Sequence, residues 1–212
     1  MIYGPYYINL DKRIDRKELI EKEFERLGFQ ATRFSAIEHE DGATGCLESH
    51  LALLSFTSTE SMSNNITFIC EDDIQFIEER PTLDFFINEF IHSDADILCL
   101  GNLSRNQEYY SSYLYRSYDL QTTSCYLIKD SFKPKLIELW SSVLKCRYSK
   151  EQHPLEDTYN KLSTAVPGSF LIADQCWKVL QQTHTFTIPN FRVALQRAGY
   201  SDIAKIYIDY KV

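Results

Sequence analysis

The 212-residue sequence is poor in glycine (7) and proline (6) and contains no internal repeat, low-complexity tract or linker. That excludes fibrous and linker-dominated architectures and favours one domain over residues 1–212, long enough to bury a real core. No apolar stretch reaches the ~18 residues of a membrane-spanning helix. Positive charge is also short: 22 Lys and Arg stand against 30 Asp and Glu, a formal charge of −8. This balance argues against a nucleic-acid partner held through its phosphates. Cysteine occurs six times, at positions 46, 70, 99, 125, 146 and 176, but never as Cys-x-x-Cys. Several lie inside apolar runs ("FIC", "ILCL"), a pattern of reduced, buried thiols rather than of a disulfide framework or a zinc site. Gly-x-Gly-x-x-Gly and Walker A are both missing, which disfavours a dinucleotide or P-loop site.

The first strand-like segment begins almost at Met1, leaving no room for a leader, and the last residues, "DYKV", carry no retention signal. The glycosylation sequons at Asn65 and Asn102 lie beside expected strands, where a glycan would be awkward. The expectation is a cytoplasmic protein, at most peripheral to a membrane. Aromatic residues, by contrast, are plentiful, with 14 Tyr and 13 Phe. They suit a groove for sugars or bases, and equally an ordinary core.

Hydrophobic periodicity organises the chain. "IYGPYYINL" reads as a strand. The next run places Leu19, Ile20, Phe24 and Leu27 at helical spacing, with Gly28 as the stop. "FQATRFSAI" is a second strand, and "CLESHLALLSF" is helical with Leu47, Leu51 and Leu54 on one face. "ITFIC" is a third strand, "TLDFFINEFIH" an amphipathic helix and "ADILCLG" another strand. Further on come a strand at "TTSCYLI", a helix at "KLIELWSSVLK", an irregular segment over 147–170, a helix at "ADQCWKVLQQ" and a terminal strand at "AKIYIDY". Strand and helix alternate over the first hundred residues, which predicts an α/β fold with a parallel sheet.

The third strand runs directly into Glu71, Asp72 and Asp73. Two unit charges ~4 Å apart repel by roughly 4 kcal/mol at an effective dielectric near 20, so a positive partner is expected there. Ligands of open α/β sheets bind at the carboxyl ends of the strands. Alternation along an extended chain turns Glu71 and Asp73 to one side and Asp72 to the other. Two hard oxygens on one side suit Mg²⁺ or Mn²⁺; a solvated acidic loop is the alternative. Gly42 and Gly45 loosen the chain before a helix whose N-terminus suits an anion. Ser49 and His50 fall in its first turns, where His50 is either a structural hydrogen-bonding group or a catalyst. Arg13 and Arg16 either face phosphates or solvate a helix start.

Taken in order, "YYINLDKRIDR", "GCLESH", the strand into "EDD", "TTSCYLI" and the late "QRAGYSDI" resemble the glycosyltransferase family 25 domain over residues 3 to about 203. The resemblance implies a GT-A fold, a Rossmann-like α/β/α sandwich with a mostly parallel central sheet, and an inverting transfer of galactose or glucose from UDP-galactose or UDP-glucose. The acceptor would be a hydroxyl on a glycan, a lipid-linked glycan or a protein. It implies Mn²⁺ or Mg²⁺ at Glu71 and Asp73, with Asp73 the first direct ligand and Asp72 beside the donor. Asn9, Asp11, Arg13 and Arg16 would belong to the uridine side, and Gly45, Cys46, Ser49 and His50 would pack beside the donor. The sequence departs from the family pattern at Ala43 and Thr44, where an acidic residue is usual, and at Gln121, where Gly is common.

Such chemistry needs a cation to neutralise the departing diphosphate and a carboxylate to take the acceptor's proton. The resemblance makes Asp174 the first candidate base, with helix capping as its structural alternative; Asp157 and Asp202 are the others. A nucleotidyltransferase or a catalytically inactive sugar-nucleotide-binding domain would share the fold and the carboxylates. A receiver-type signalling module is disfavoured, because "ILCLGN" ends without a phosphorylatable Asp.

Overall fold

In the computed structural model, which describes residues 1–58 and 65–209, strands and helices alternate through most of the chain. They run β1 (Ile2–Asn9), α1 (Ile14–Leu27), β2 (Thr32–Ser35), α2 (Gly42–Ser58), β3 (Ile66–Glu71), β4 (Ile74–Phe76), α3 (Arg80–Ile91), β5 (Ile97–Leu103), β6 (Gln107–Tyr109), β7 (Leu114–Ser117), β8 (Gln121–Lys129) and α4 (Lys133–Ser149). The remainder comprises α5 (Glu156–Asn160), α6 (Ala173–Cys176), α7 (Lys178–Gln181), β9 (Phe186–Pro189), β10 (Ala194–Gln196), β11 (Gly199–Ser201) and β12 (Ile206–Ile208).

Eight strands form one sheet in the order β2-β1-β3-β8-β5-β9-β7-β6. The pairs β1–β2, β1–β3 and β5–β9 are parallel, while β8 runs antiparallel to both β3 and β5. β7 is antiparallel to β9, and β6 to β7. Six strands therefore point one way and two, β7 and β8, the other. The fold is of the α/β class, as the alternation predicts, but the sheet is mixed, because β8 in its middle and β7 run against the other six.

Each central strand is apolar on both faces because both are covered. Ile69, Cys99, Tyr126 and Ile128 point into one core with Leu47, Leu53 and Leu54 of α2 and Leu136 and Trp140 of α4. Their neighbours Phe68, Cys70, Leu98, Cys125 and Leu127 point to the other, against Ile20, Phe24 and Leu27 of α1 and Leu83, Phe86 and Phe90 of α3. The period of two along a strand makes this division. All six cysteines are unpaired and, except half-buried Cys46, buried. Among the described residues, no helix is long and apolar enough to cross a membrane.

Three local expectations are corrected. Gly42 and Gly45 lie inside α2 rather than before it, because Asp41 starts the helix. Its carboxylate accepts the Ala43 N–H (3.2 Å) and the Thr44 hydroxyl (2.7 Å). "ADQCWKVLQQ" folds as two short helices, α6 and α7, that meet at buried Trp177. The late "AKIYIDY" strand is reduced to β12, which pairs with β11 as an antiparallel hairpin; Tyr210 lies outside the described residues.

The topology gathers chemistry at one edge. The carboxyl ends of β1, β2, β3 and β5 meet there, in register at Ile8 with Glu71 and Asn9 with Ser35. Antiparallel β8 begins at the same edge, with Gln121 opposite Leu103. β4 pairs with β10 and brings Gln196 alongside Ile74, next to Asp73.

Candidate functional site

A cleft of about 130 Å³ opens at this edge, and Glu71, Asp72 and Asp73 all line it. They do not divide as simple alternation predicts. β3 ends at Glu71 and the chain turns through Asp72 and Asp73, so the period of two no longer holds. Asp72 and Asp73 share one cation, Arg16 of α1, whose Nη1 donates to them at 2.9 and 3.2 Å. Glu71 faces the other way along the cleft. Its Oε1 accepts the Thr123 hydroxyl at 2.6 Å and lies 3.3 Å from His50 Nε2.

Electrostatics follow from this arrangement. Burial pushes the Asp73 carboxyl up to about 7; Glu71 and Asp72 add to the rise, and Arg16 and a bond from Gln196 Nε2 (3.0 Å) oppose it. Asp72 is also raised, mainly by burial, against the pull of Arg16 and of Asn9, whose amide donates at 2.7 Å. Burial acts to raise Glu71 as well, but the His50, Thr123 and Arg16 contacts outweigh it and hold that carboxyl below its ordinary range. Asp73 Oδ1 is buried and has no hydrogen-bond partner. Asp72 and Asp73 thus share the Arg16 guanidinium while Glu71 lies against His50 and Thr123, and Lys12, Arg197 and Lys205 also line the cleft. The unpartnered Asp73 Oδ1 and the hard oxygen donors of the cleft fit a cation, which Asp73 would hold with Glu71 as a further cleft-lining carboxylate.

The second wall comes from α2. Gly45, Cys46, Ser49 and His50 line the cleft together. Gly45 is required by closeness: a Cβ there would stand 2.7 Å from the Ile37 carbonyl. Ser49 is a structural clamp, donating to the Gly45 carbonyl (2.6 Å) and accepting the Ile37 N–H (2.8 Å). His50 is fully buried between the Tyr126 and Trp140 rings, and its Nδ1 lies 3.1 Å from the Tyr126 hydroxyl. Burial and the nearby carboxylates push the Cys46 thiol well up.

The remaining expected residues are spread over three environments. Asn9 and Arg13 stand one layer behind the cleft. Asn9 Nδ2 joins Asp72 to the Arg13 carbonyl, and the Arg13 guanidinium pairs with Asp15 (2.8 Å) and Asp202 (2.6 Å). Neither Arg13 nor Arg16 is a solvated helix start: both are ion-paired. Asp202 lines the cleft from the turn between β11 and β12. Asp11 is exposed and holds Arg33 and Ser35. Asp157 is exposed on α5, where it accepts from Gln152 (3.3 Å) and takes no part in the cleft.

Asp174 sits behind the cleft in the first turn of α6, whose N-cap is Ile172. Its Oδ2 accepts the N–H of Thr122 (3.1 Å), a residue held at φ 72° in the left-handed region. Burial raises this carboxyl too, with the Thr122 bond opposing.

Sequence reasoning does not place Thr123, Tyr126, Gln196 and Arg197 at the site. "TTSCYLI" and "QRAGYSDI" point to their segments, but which side chains reach the carboxylates depends on the β3–β8 and β4–β10 pairings.

No protein-family model and no curated protein matches the chain. Among solved structures, it is similar to a mannose-1-phosphate geranyltransferase from Thermus thermophilus, at 10% identity and TM-score 0.47, over 92% of this chain and 74% of that one. It is also similar to a glycosyltransferase involved in glycosylation of the major capsid of PBCV-1, at 11% identity and TM-score 0.47, over 96% and 95%. Both values lie below the level at which a shared activity follows.

Proposed function

We propose that this chain is a glycosyltransferase of the family 25 type, with a GT-A arrangement, that binds a UDP-sugar and a divalent cation in the cleft. The observation that carries the reading is the set of three carboxylates lining one cleft, with one oxygen of Asp73 buried and unpartnered. A cation at these carboxylates would offset their repulsion of an incoming diphosphate, alongside Lys12, Arg197 and Lys205 of the cleft lining. Asp73 and Glu71 would hold Mn²⁺ or Mg²⁺, hard ions suited to carboxylate oxygens. When bound, the ion supplies charge neutralisation for the departing diphosphate.

The chain's own groups do the rest. Arg16 opposes protonation of Asp72 and Asp73 and holds both in place. Gly45 leaves room for the Ile37 carbonyl, and Gly42 for the turn at Asp202 and Ile203, which closes one side of the cleft. Asp202, which lines the cleft, replaces Asp174 as first candidate to take the acceptor's proton, because a base must reach the reacting hydroxyl. Asp174 instead positions Thr122. The donor would carry galactose or glucose, and the acceptor would offer a hydroxyl from a glycan, a lipid-linked glycan or a protein.

Thermal melting with UDP, UDP-galactose and UDP-glucose, each with and without Mn²⁺, tests this. Ligand at about 100 times its Kd adds roughly 2.7 kcal/mol. The expected result is a nucleotide shift that requires Mn²⁺ and disappears in Asp73→Asn. No shift with any nucleotide, with or without the metal, overturns the reading.

A further inference from the structure

The Glu71 end of the cleft carries a donor set that hard cations do not call for. Cys46, His50 and Glu71 each present one ligand atom, and these atoms all lie within 4.8 Å of one another. We infer that these three residues form a site for a borderline-soft divalent transition metal, of the Zn²⁺ or Co²⁺ class. This inference does not depend on the identity of the donor, and it shares Glu71 with the cation proposed at Asp73.

The geometry supports it on three counts. First, His50 Nε2 and Glu71 Oε1 are 3.3 Å apart. Nitrogen and oxygen ligands ~2.0–2.1 Å from one tetrahedral ion stand roughly that far from each other. Cys46 is one helical turn before His50 on α2, so its sulfur projects from the same face. Second, the ligands are oriented from behind. His50 Nδ1 is tied to the Tyr126 hydroxyl at 3.1 Å, leaving Nε2 for the metal, and Glu71 accepts the Thr123 hydroxyl at 2.6 Å. Ligating histidines and carboxylates are commonly held by such partners. Third, all three residues line the cleft, so a fourth position opens into it. Three protein ligands with one open position is the arrangement of reactive rather than purely structural zinc sites.

Thiolate and imidazole select against Mg²⁺ and Mn²⁺ and for softer ions. Cys-x-x-Cys spacing could not reveal this site, because α2 supplies two ligands and the end of β3 the third.

The test uses the full chain, stripped with chelator and titrated with Co²⁺. The expected result is a near-ultraviolet thiolate-to-cobalt band saturating at one equivalent, retained in Asp73→Asn and lost in Cys46→Ser. In parallel, one equivalent of Zn²⁺ should slow alkylation of Cys46 in the unmutated protein at least tenfold, read by peptide mass spectrometry. This second measurement decides the matter if Cys46→Ser does not fold. Absence of a thiolate band at saturation overturns the inference. So does a band that survives in folded Cys46→Ser, which would place the metal on another thiol such as the Cys70–Cys125 pair, whose sulfurs are 3.5 Å apart. Unchanged Cys46 alkylation with Zn²⁺ also overturns it.

Discussion

The Arg16 guanidinium reaches one oxygen of Asp73 at 3.2 Å and leaves the other without a partner. The same nitrogen serves Asp72 at 2.9 Å, so one side chain holds together the turn on which the cleft is built.

Arg16→Gln should therefore destabilise the protein more than an ordinary surface change. Removing one partner of a largely buried ion pair costs about 3–5 kcal/mol, and protonation of Asp73 moderates the loss towards the lower figure. A fall in Tm of roughly 6–12 °C is expected in metal-free buffer. If a divalent cation takes over the missing charge, saturating Mn²⁺ should raise the variant's Tm by more than it raises the original protein's. Equal metal shifts in the two proteins would mean that Arg16 and the cation do not share the carboxylates.

Local elements are legible where one period dominates. Leu83, Phe86, Ile87 and Phe90 are all buried on α3, as their spacing predicts, and Gly28 ends α1 in the left-handed conformation, φ 67°. Leu19, on the same stripe as Ile20 and Phe24 by spacing, is exposed because α1 covers the sheet with a narrower face. The site is legible as a segment, not as a geometry. Glu71, Asp72 and Asp73 stand out as charges at a strand end, but their directions depend on a turn that begins one residue later. Gln196 meets Asp73 only because β10 returns to pair with β4. Pairings between residues so distant in sequence have no local signal. Resemblance alone points to Asp174 as the base; its bond to the Thr122 N–H is the contact on which the positioning role proposed for it rests.

Gly42→Ala should weaken ligand binding while sparing the fold. The added Cβ would stand 2.6 Å from the Asp202 carbonyl and 2.8 Å from Ile203 Cα, both backbone atoms. The 201–205 turn must then move away from α2 and widen the cleft. Nucleotide affinity by calorimetry should fall about tenfold, or ~1.4 kcal/mol. Unchanged affinity in a stably folded variant would detach the turn from the site.

Lys133 and Asp130 form a pair at 2.7 Å that is almost wholly out of water. Burial lowers the Lys133 pKa, with Asp130 opposing, and Lys133 also donates to the Thr57 carbonyl (3.2 Å) and hydroxyl (3.1 Å). Lys133→Met leaves Asp130 uncompensated and should cost about 3–5 kcal/mol in urea denaturation. Adding Asp130→Leu should recover much of that loss, since an apolar pair of similar volume avoids desolvating two charges. Simple additivity of the two single changes would show that the groups do not act as a pair.

His153 gives the fold a defined acid sensitivity. It is buried against the Phe170 ring, with Nε2 at 2.8 Å from the Ser142 hydroxyl, and burial lowers its pKa from 6.5 despite the opposing pull of Glu156. A histidine depressed in the folded state binds its proton more readily when unfolded. Stability is therefore full above 6.5, falls as pH drops below it, and stops falling through this group once the folded pKa is passed. His153→Asn should flatten the Tm-against-pH curve just below pH 6.5. A slope unchanged by the substitution would assign the acid sensitivity to other groups.

Asp174 separates positioning from proton transfer. It accepts the Thr122 N–H at 3.1 Å, and Thr122 also donates its hydroxyl to the Gly101 carbonyl at 3.0 Å while keeping φ 72°. Asp174→Asn retains an acceptor oxygen, whereas Asp174→Ala leaves the Thr122 N–H without one, a cost of about 1–3 kcal/mol. The alanine variant should therefore melt lower, and Thr123, the next residue, should lose its fixed approach to Glu71. If Asp174 only positions, Asn should keep most of the transferase turnover and Ala should lose it, with the pH profile of kcat unchanged in Asn. If Asp174 is instead the base, Asn should abolish turnover with Tm and UDP affinity intact, and Asp202 would return to pairing with Arg13 alone.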